Sequence, residues 1–453
     1  MTKQTRRDFV KGTAAFAAGI FAGPRFAAAQ GSASANHKLN VAVIGAGGRG
    51  GASLKGCSNE NIVAICDVND QSAAKAREQY SNAKYFHDFR VMMDKMNKEI
   101  DAVCVATPDH THFAAAMCAM QNHKHVYVEK PLAHNVWQVR TLKKAAHHYN
   151  VISQMGNQGH ATDGIRSIKE WFEADVIGDV KEVVAWFNGP DFQGHYFSKP
   201  ENYPPQAEDA PEHLQWDLWL GPARERPYSH YYLPRHWRGW YDFGNAELGD
   251  WACHTLDGPF WALQLGMPEA VETVQRSPSP EGFTPDRSII RFSFPARGGK
   301  PPVVLSWHDG GLKPDLRPEW GLDKLPGSGM IMIGDKCSLM TGGRPNDPKL
   351  LPESVWTDFS KNPTEKTIPR VDGGPWDEWI NAIKGDGPMP GSNFDYSSDL
   401  TEMTLLGVLV QRFNKRIEYD AANMKIVNDP MLDAFIKEPV REGWSFGEEV
   451  WKA

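Results

Sequence analysis

The chain has 453 residues, with 49 Lys and Arg against 56 Asp and Glu, and a formal net charge of −7. An aromatic content of 11% at this modest charge excludes a largely disordered protein, and the length fits two or three domains. The mildly acidic balance argues against nucleic-acid binding, and no apolar run reaches the roughly 18 residues that span a bilayer. What remains is an ordinary globular protein whose 16 Trp residues are unusual.

The N-terminal segment has the pattern of a targeting signal. A twin arginine at positions 6 and 7 precedes Phe9 and Lys11, small and weakly apolar residues fill 12–22, and three alanines occupy 27–29. This order is typical of a signal peptide for the twin-arginine route. We therefore expect residues 1–29 to be a cleaved leader and the protein to be periplasmic or otherwise exported.

The next part of the chain alternates short apolar runs with helix-compatible segments. The predicted strands are at 39–44, 61–67, 101–107, 125–131 and 151–155. Continuous apolar runs of this kind, each followed by a helix, are typical of a parallel sheet covered on both faces. We expect an α/β fold with an N-terminal Rossmann domain over residues 38–155.

A glycine-rich segment follows the first predicted strand and opens the first helix. Its G-x-G-x-x-G spacing predicts a tight turn, a close backbone approach to pyrophosphate, and phosphate charge at a helix N-terminus. Asp67 ends the second strand, where a carboxylate can accept a hydrogen bond from a ribose 2′-hydroxyl. Asp67 favours NAD because it would repel a 2′-phosphate, whereas Arg49 keeps NADP open. The expected cofactor contacts in this loop are Gly45, Gly47, Gly48, Arg49 and Gly50.

Three further segments carry a family resemblance. Residues 106–112 (Ala-Thr-Pro-Asp-His-Thr-His) and 128–131 (Val-Glu-Lys-Pro), taken with 249–254 (Gly-Asp-Trp-Ala-Cys-His), closely resemble the Gfo/Idh/MocA oxidoreductase family. The resemblance implies an NAD(P)-binding Rossmann domain followed by a substrate and oligomerisation domain, here 156–453, with a large and mostly antiparallel sheet. It also implies a homo-oligomer, either dimer or tetramer. A late helix at about 400–412 could pack back on the Rossmann domain.

The resemblance identifies Lys130, Asp250 and His254 as the catalytic candidates. Asp250 and His254 are four residues apart, so a helix would present both on one face. A carboxylate beside an imidazole orients the ring and raises its basicity, and histidine can take a proton from a substrate hydroxyl. Lys130, beside a cofactor, could bind or deprotonate that hydroxyl. Because no third ligand stands at a recognisable spacing, we expect no metal.

The same resemblance assigns other polar residues to the cofactor or the substrate. Thr107, Pro108, Glu129 and Lys130 fall at strand ends, where a doubly wound sheet binds its ligand. By resemblance, Gln158 and His160 approach the substrate. His110 and His112 are ambiguous, since either could lie near the nicotinamide or cap the following helix. The remaining cofactor candidates are Thr107, Pro108, His110, His112, Glu129, Lys130 and Asn157.

An aromatic stretch from Gln215 to Asp257 supplies candidates for sugar contact. Flat apolar rings next to arginine donors suit pyranose rings and cyclitols, although aromatics equally dominate protein cores. We expect Arg238, Trp240 and Tyr241 to contact the substrate, and Trp251 to lie in the core. Residues 309–329, rich in Gly and Pro, predict a long loop that could be a lid or an oligomer arm.

Taken together, these residues predict an NAD(P)-dependent oxidoreductase that transfers hydride between a tightly bound nicotinamide cofactor and a sugar, glycoside or cyclitol. A redox-neutral glycosidase or lyase resembling family 109 glycoside hydrolases is the alternative. Those enzymes typically lack a lysine after the strand-end glutamate, whereas Lys130 is present here. A non-catalytic sugar-binding protein is the third hypothesis.

Overall fold

The structure is a computed structural model that describes residues 38–190 and 198–452. The predicted leader, residues 1–29, lies outside the described residues. Two sheets dominate the described part, one of six strands and one of nine. Because the first is parallel and wound with helices and the second is mostly antiparallel, the predicted α/β fold class is confirmed. The domain boundary expected at residues 155 and 156 stays a prediction.

The first sheet has the strand order β3-β2-β1-β4-β5-β6, and all its neighbours are parallel. Its central strands are buried on both faces, which explains their uninterrupted apolar sequences. Its strands are β1 (Asn40–Ile44), β2 (Asn61–Cys66), β3 (Lys84–Phe86), β4 (Ala102–Val105), β5 (His125–Val128) and β6 (Ser153–Met155). The short β3 strand is one that the apolar pattern did not predict.

Helices connect these strands. They are α1 (Gly50–Gly56), α2 (Asp70–Gln79), α3 (Phe89–Met96), α4 (Asp109–Gln121) and α5 (Val136–His148). Asn69, Asp88 and Asn135 each begin a helix by accepting hydrogen bonds from its first N–H groups. The order of the sheet reverses between β1 and β4, and a ligand crevice forms outside the carboxyl ends of strands at such a point.

The second sheet has the order β13-β12-β11-β7-β10-β9-β8-β14-β15, with β7 and β10 parallel and the other neighbours antiparallel. Its strands are β7 (Val180–Trp186), β8 (Ala270–Arg276), β9 (Ser288–Phe294), β10 (Val303–His308), β11 (Gly329–Gly334), β12 (Ser338–Thr341), β13 (Lys349–Leu351), β14 (Arg416–Asp420) and β15 (Lys425–Ile426). The remaining helices are α6 (Asp163–Glu173), α7 (Trp216–Leu220), α8 (Ala246–Thr255), α9 (Asp257–Ala262), α10 (Glu353–Lys361), α11 (Pro375–Lys384), α12 (Phe394–Phe413) and α13 (Pro430–Asp433).

Helix α12 joins the two sheets. Its N-terminal N–H at Phe394 donates to Ser153 Oγ on β6 (3.1 Å), and the Ser398 hydroxyl donates to the Val139 carbonyl on α5 (3.0 Å). Further along, α12 packs against α8 and strand β8. This helix therefore fixes α8, which carries two of the catalytic candidates, relative to the Rossmann sheet.

The long loop over 309–329 lies against the second sheet. Trp320 is fully buried in an apolar cluster with Val184, Trp186 and Ile331, and Trp186 Nε1 donates to the Pro326 carbonyl (2.9 Å). The loop therefore covers part of one sheet face, a placement that the lid and arm hypotheses did not include. In the part of the chain that the structure describes, no helix combines the length and apolar character needed to cross a membrane.

Candidate functional site

The loop between β1 and α1 forms a cradle of backbone atoms. Gly45 adopts a φ of +80°, and a Cβ there would lie 2.7 Å from the carbonyl oxygen of Ala106. A Cβ on Gly50 would lie 1.8 Å from the carbonyl oxygen of Gly45, whereas a Cβ on Gly48 would meet no atom beyond its chain neighbours within 4 Å. The loop therefore needs glycine at positions 45 and 50, whereas the space beside Gly48 is open to a ligand. This cradle fits the pyrophosphate of a dinucleotide.

Asp67 lies beside this loop at the end of β2. Its carboxylate accepts hydrogen bonds from the N–H groups of Ala46 (2.9 Å), Gly47 (3.2 Å) and Asn69 (2.9 Å). Burial raises the pKa of Asp67, and these three donors act in the opposite direction. The carboxylate is thus held at the edge of the cradle, in reach of a ribose bound there.

Two orphaned polar atoms lie at the carboxyl ends of β4 and β5. Thr107 Oγ1 and Glu129 Oε2 are buried and have no hydrogen-bond partner among the described residues. The other oxygen of Glu129 accepts from Arg49 Nε (2.9 Å) and from Gln158 Nε2 (3.4 Å). Buried polar atoms are costly without partners, so a ligand in the crevice would satisfy them. Gln158, expected at the substrate, lies against Glu129, and its substrate contact stays a prediction.

Lys130 meets the helix α8 across the crevice. Its Nζ donates to the Asp250 carboxylate in a close ion pair and to the Asp250 backbone carbonyl (2.9 Å). Arg238 Nε lies 3.4 Å from the other carboxylate oxygen. Burial alone would raise the pKa of Asp250, but the charges of Lys130 and Arg238 lower it far below its usual range. Asp250 is therefore ionised and holds two cations that come from distant parts of the chain.

His254 lies one helical turn after Asp250 and is 2% exposed. Its Nδ1 has no hydrogen-bond partner among the described residues, and the Trp251 ring packs against its imidazole at 5.5 Å. Burial, followed by the charges of Lys130 and Arg344, lowers the pKa of His254 well below 6.5. The imidazole is therefore neutral and able to accept a proton. The expected orienting contact from Asp250 is absent here, because that carboxylate is occupied by Lys130 and Arg238.

The two histidines after β4, His110 and His112, contact backbone carbonyls of the protein. Pro108 is the N-cap of α4, which begins at Asp109 and so includes both rings. His112 has Nδ1 2.8 Å from the Pro131 carbonyl and Nε2 2.8 Å from the Thr107 carbonyl, which joins the ends of β4 and β5. His110 lies between the carbonyls of Phe243 (3.2 Å) and Trp219 (2.9 Å), and burial lowers its pKa to about 3. These contacts position the crevice walls, and the cofactor contact predicted for either histidine stays a prediction.

Asp257 holds two of the predicted site residues in place, and sequence reasoning missed it. This fully buried carboxylate accepts from Asn157 Nδ2 (2.9 Å) and the Tyr396 hydroxyl (2.6 Å), and lies 2.9 Å from His160 Nδ1. Asn157 and His160, expected at the cofactor and the substrate, are therefore held rigidly by one group. Asp257 stands three residues after His254, which was the available signal in the sequence.

Trp240 and Tyr241 are packed into the protein, in contrast to their expected substrate role. Trp240 is 4% exposed, donates to the Tyr231 carbonyl (3.0 Å) and packs edge-on against Phe283. Tyr241 is 3% exposed, and its hydroxyl donates to Gln411 (3.0 Å). Since their polar atoms are satisfied internally, aromatic packing explains both residues.

Trp251, expected in the core, instead borders the site. Its ring is partly exposed and stacks on Phe187 with centroids 4.1 Å apart and planes at 23°. The guanidinium of Arg344 lies over the Trp251 ring, 4.8 Å from its centroid. Over residues 38–190 and 198–452, no group of three or more His, Cys, Asp or Glu side chains is arranged to hold a metal ion.

Comparisons with known protein families agree with this geometry. A model described as the oxidoreductase family with an NAD-binding Rossmann fold matches residues 39–157. A model of the same family's C-terminal α/β domain matches residues 162–274, so the two matches together cover slightly more than half of the chain.

Among characterised relatives, levoglucosan dehydrogenase of Pseudarthrobacter phenanthrenivorans is 25% identical over 237 residues, which are 48% of this chain and 51% of that protein. Inositol 2-dehydrogenase/D-chiro-inositol 3-dehydrogenase of Lacticaseibacillus casei is 29% identical over 164 residues, 35% of this chain and 47% of that protein. A family 109 glycosyl hydrolase protein of Solibacter usitatus is 32% identical over 168 residues, 32% of this chain and 37% of that protein. The chain thus spans about half the length, or less, of these relatives.

Solved structures show the same fold over most of the chain. A levoglucosan dehydrogenase complex with NADH and levoglucosan has a TM-score of 0.58 at 19% identity, with 84% of this chain and 99% of that chain covered. The WlbA dehydrogenase of Bordetella pertussis, in complex with NADH and UDP-GlcNAcA, has a TM-score of 0.57 at 16% identity, with 85% and 99% covered.

Proposed function

The chain belongs to the Gfo/Idh/MocA oxidoreductase family, and from this premise we propose that it is an NAD-dependent oxidoreductase acting on a hydroxyl group of a sugar, glycoside or cyclitol. The observation that carries the proposal is the ion pair of Lys130 with Asp250 next to the neutral His254, at the crevice bordered by the glycine cradle. A dinucleotide cradle and a proton-transfer group at one edge are what a hydroxyl dehydrogenase requires.

The residues of the cradle would hold NAD. The backbone of Gly48 and Arg49 in this loop would face its pyrophosphate, since the N–H groups of Ala46 and Gly47 already donate to Asp67. Asp67 would accept from the adenosine ribose. The orphaned oxygens of Thr107 and Glu129 would take polar groups nearer the nicotinamide. When bound, NAD supplies the acceptor for hydride from the substrate carbon.

The protein's own groups would handle the proton. Lys130 is fixed by Asp250 and can donate a hydrogen bond to the substrate oxygen, which makes the hydroxyl more acidic. His254 is neutral, so its imidazole can accept the hydroxyl proton. Asp250 then stabilises the positive charge of the Lys130 and His254 pair that results. The role of Asp250 is thus electrostatic.

The substrate class follows from the names of the relatives and from the site wall. Levoglucosan and inositol dehydrogenases act on compounds that combine apolar C–H faces with dense hydroxyl edges. The partly exposed Trp251 ring, stacked on Phe187 and lying under the Arg344 guanidinium, gives an aromatic surface with a cationic donor beside Asp250 and His254. This pairing of an aromatic surface with charged donors supports a pyranose or cyclitol substrate.

The test is to mix the purified protein and NAD with a panel of pyranoses and cyclitols and to follow NADH formation by its near-ultraviolet absorbance. We expect turnover of at least one member of the panel. Lys130→Met should abolish that turnover and leave NADH binding intact, and the exposed Lys98→Met is the matched control. A protein that binds no dinucleotide, or a Lys130→Met variant that turns over normally, would refute the proposal.

Redox-neutral glycoside cleavage is the second candidate, because a family 109 glycosyl hydrolase protein is among the relatives. In that chemistry, transient oxidation of one carbon acidifies the neighbouring C–H bond, and elimination precedes re-reduction. Incubation with aryl glycosides separates the two functions. Release of the aryl alcohol without net NADH formation would favour cleavage over dehydrogenation.

We propose in addition that residues 1–29 direct export by the twin-arginine route and that the protein is a homo-oligomer. The twin arginine at positions 6 and 7 supports export. Exposed apolar residues on the second sheet, Val274 (44% exposed) and Val304 (41%), support self-association. Replacing both arginines by lysine should retain the uncleaved chain in the cytoplasm, and light scattering should give the mass of a dimer or tetramer.

A further inference from the structure

Helix α8 carries a third acidic or basic group beside the two catalytic candidates. Glu247 precedes Asp250 by three residues and His254 by seven, so the three side chains fall within about 60° of the helix circumference. This places Glu247 on the same face, one turn closer to the helix N-terminus. The sequence motif of the family match did not single it out.

Glu247 is buried but lacks the partners that a buried acid normally has. Its side chain belongs to a residue that is 3% exposed, and its Oε2 has no hydrogen-bond partner among the described residues. Structural buried acids in the same protein behave differently, since the Asp309 carboxylate accepts from Ser288, Trp307 and Gln411. Because an unsatisfied buried carboxyl is costly, the arrangement indicates a group that is completed by a ligand.

The chain makes space for this carboxyl group at the end of β7. A Cβ on Gly189 would lie 2.0 Å from Glu247 Oε1 and 2.5 Å from its Cδ. Gly189 follows Phe187, whose ring stacks on Trp251. The carboxyl therefore lies next to the aromatic surface proposed for the sugar, and not in a separate part of the core.

The surrounding charges favour the protonated form of this carboxyl. Burial, followed by the negative charges of Asp250 and Asp309, raises the pKa of Glu247 well above 4.5, and Lys130 and Arg238 oppose this effect only in part. A protonated carboxyl has one O–H donor and one carbonyl acceptor. It can therefore pair with two neighbouring hydroxyl groups, one as donor and one as acceptor.

We propose that Glu247 is a substrate-contacting residue whose carboxyl group binds two adjacent hydroxyls of the sugar or cyclitol and selects the carbon that faces Lys130 and His254. The inference rests on the proposed dehydrogenase function and deepens it. It assigns to one side chain the choice between chemically similar hydroxyl groups of the same ring. A site built to hydrogen-bond a hydroxyl strongly rejects the analogue that lacks it.

The experiment compares Glu247→Ala and Glu247→Gln with the wild type, using the sugar that the panel identifies and its single-deoxy analogues. We expect Glu247→Ala to raise KM by about tenfold or more while kcat changes less than about threefold. Wild type should discriminate against one deoxy analogue by about 100-fold, and Glu247→Ala should reduce this to a few-fold. Glu281→Gln, an exposed acid outside the site, is the matched control.

Gly189→Ala provides an independent arm, because its added Cβ would displace the Glu247 carboxyl. Gly189 has no left-handed φ, so alanine brings no backbone strain there. We expect Gly189→Ala to weaken sugar discrimination in the wild-type background and to have little further effect in Glu247→Ala. Additive losses from the two substitutions would contradict a shared action on one hydroxyl pair.

The outcomes separate this inference from the function on which it depends. If wild type turns over the sugar and both Glu247 variants keep its KM and its discrimination, the inference is wrong and the function stands. An equal loss of kcat/KM on every analogue, together with a lower melting temperature, would also overturn the inference and indicate a structural role for Glu247. If the wild type shows no dinucleotide-dependent turnover or sugar binding, the function and the inference both fail.

Discussion

The dinucleotide side and the substrate side of the crevice are built in different ways. The first is a backbone structure, in which Gly45 and Gly50 allow strand, loop and helix to approach within distances that any Cβ would prevent. The second is a set of side chains, in which Lys130 from the Rossmann sheet meets Arg238 and Asp250 from the second part of the chain. Local sequence determines the first, and tertiary packing determines the second.

This difference has a chemical consequence. A backbone cradle can bind the shared phosphate groups of a cofactor, since those groups do not vary from one substrate to another. The side-chain cluster combines ionised Asp250, neutral His254 and a carboxyl at Glu247 within one buried face of α8. Changes on that face can alter the reaction while cofactor binding is retained, and this separation can be tested.

The largest expected effect is on the substrate side. His254→Ala removes the proton acceptor, so we expect kcat to fall by about 10²–10⁴-fold. The dissociation constant of NADH, measured by its fluorescence, should change less than about twofold. His148→Ala, an exposed histidine on α5, is the control. If the two histidine variants behave alike, His254 does not accept the proton.

A substitution in the cradle should instead weaken NADH binding. A Cβ on Gly50 would lie 1.8 Å from the Gly45 carbonyl, whereas a Cβ on Gly51 would meet nothing within 4 Å. We expect Gly50→Ala to weaken NADH binding by about 100-fold, through displacement of the loop. Gly51→Ala should retain wild-type affinity. Equal affinities for the two variants in a calorimetric titration would show that the loop does not hold the cofactor.

Much of the cradle could be predicted from the sequence, and much of the substrate side could not. The spacing from Gly45 to Gly50 encodes a backbone shape, so the motif alone located it. Trp240 and Trp251 belong to the same aromatic-rich stretch of the sequence, yet Trp240 is buried among aromatic rings and Trp251 is partly exposed at the site. Only the packing of distant segments decides between such positions, and the same holds for the contacts of Asp257.

The fall of kcat/KM in acid should begin well below the ordinary pKa of histidine. Burial and then the charge of Lys130 lower the pKa of His254 well below 6.5, so the ring stays neutral as the pH falls through that value. We therefore expect kcat/KM at pH 6 to remain within about twofold of its value at pH 7.5. An acid limb centred near pH 6.5 would show that His254 titrates like a solvated histidine.

The lowered pKa of His254 also makes the folded protein less stable in acid. Below pH 6.5 an unfolded His254 binds a proton that the folded protein does not bind, so the free energy of unfolding decreases as the pH falls. His254→Ala should reduce this decrease. Thermal melts of both proteins from pH 7 to pH 5 give the comparison, and identical pH dependences would contradict it.

The smallest effect is expected for an aromatic residue that lies outside the site. Tyr241→Phe removes one buried hydrogen bond to Gln411 and should lower the free energy of unfolding by about 1 kcal/mol. Because Tyr241 is packed away from the crevice, KM for the sugar should not change. Urea unfolding and steady-state kinetics measure the two quantities. A tenfold rise in KM would show that Tyr241 contacts the substrate.

Direct hydride transfer across this crevice is the central claim, and an isotope experiment tests it most directly. The sugar identified by the panel is labelled with deuterium at the oxidised carbon and converted in a single turnover by the NAD-loaded protein. We predict one deuterium at the nicotinamide C4 of the NADH formed, with no exchange from solvent. NADH that contains no deuterium, or deuterium that is lost to water, would contradict the account.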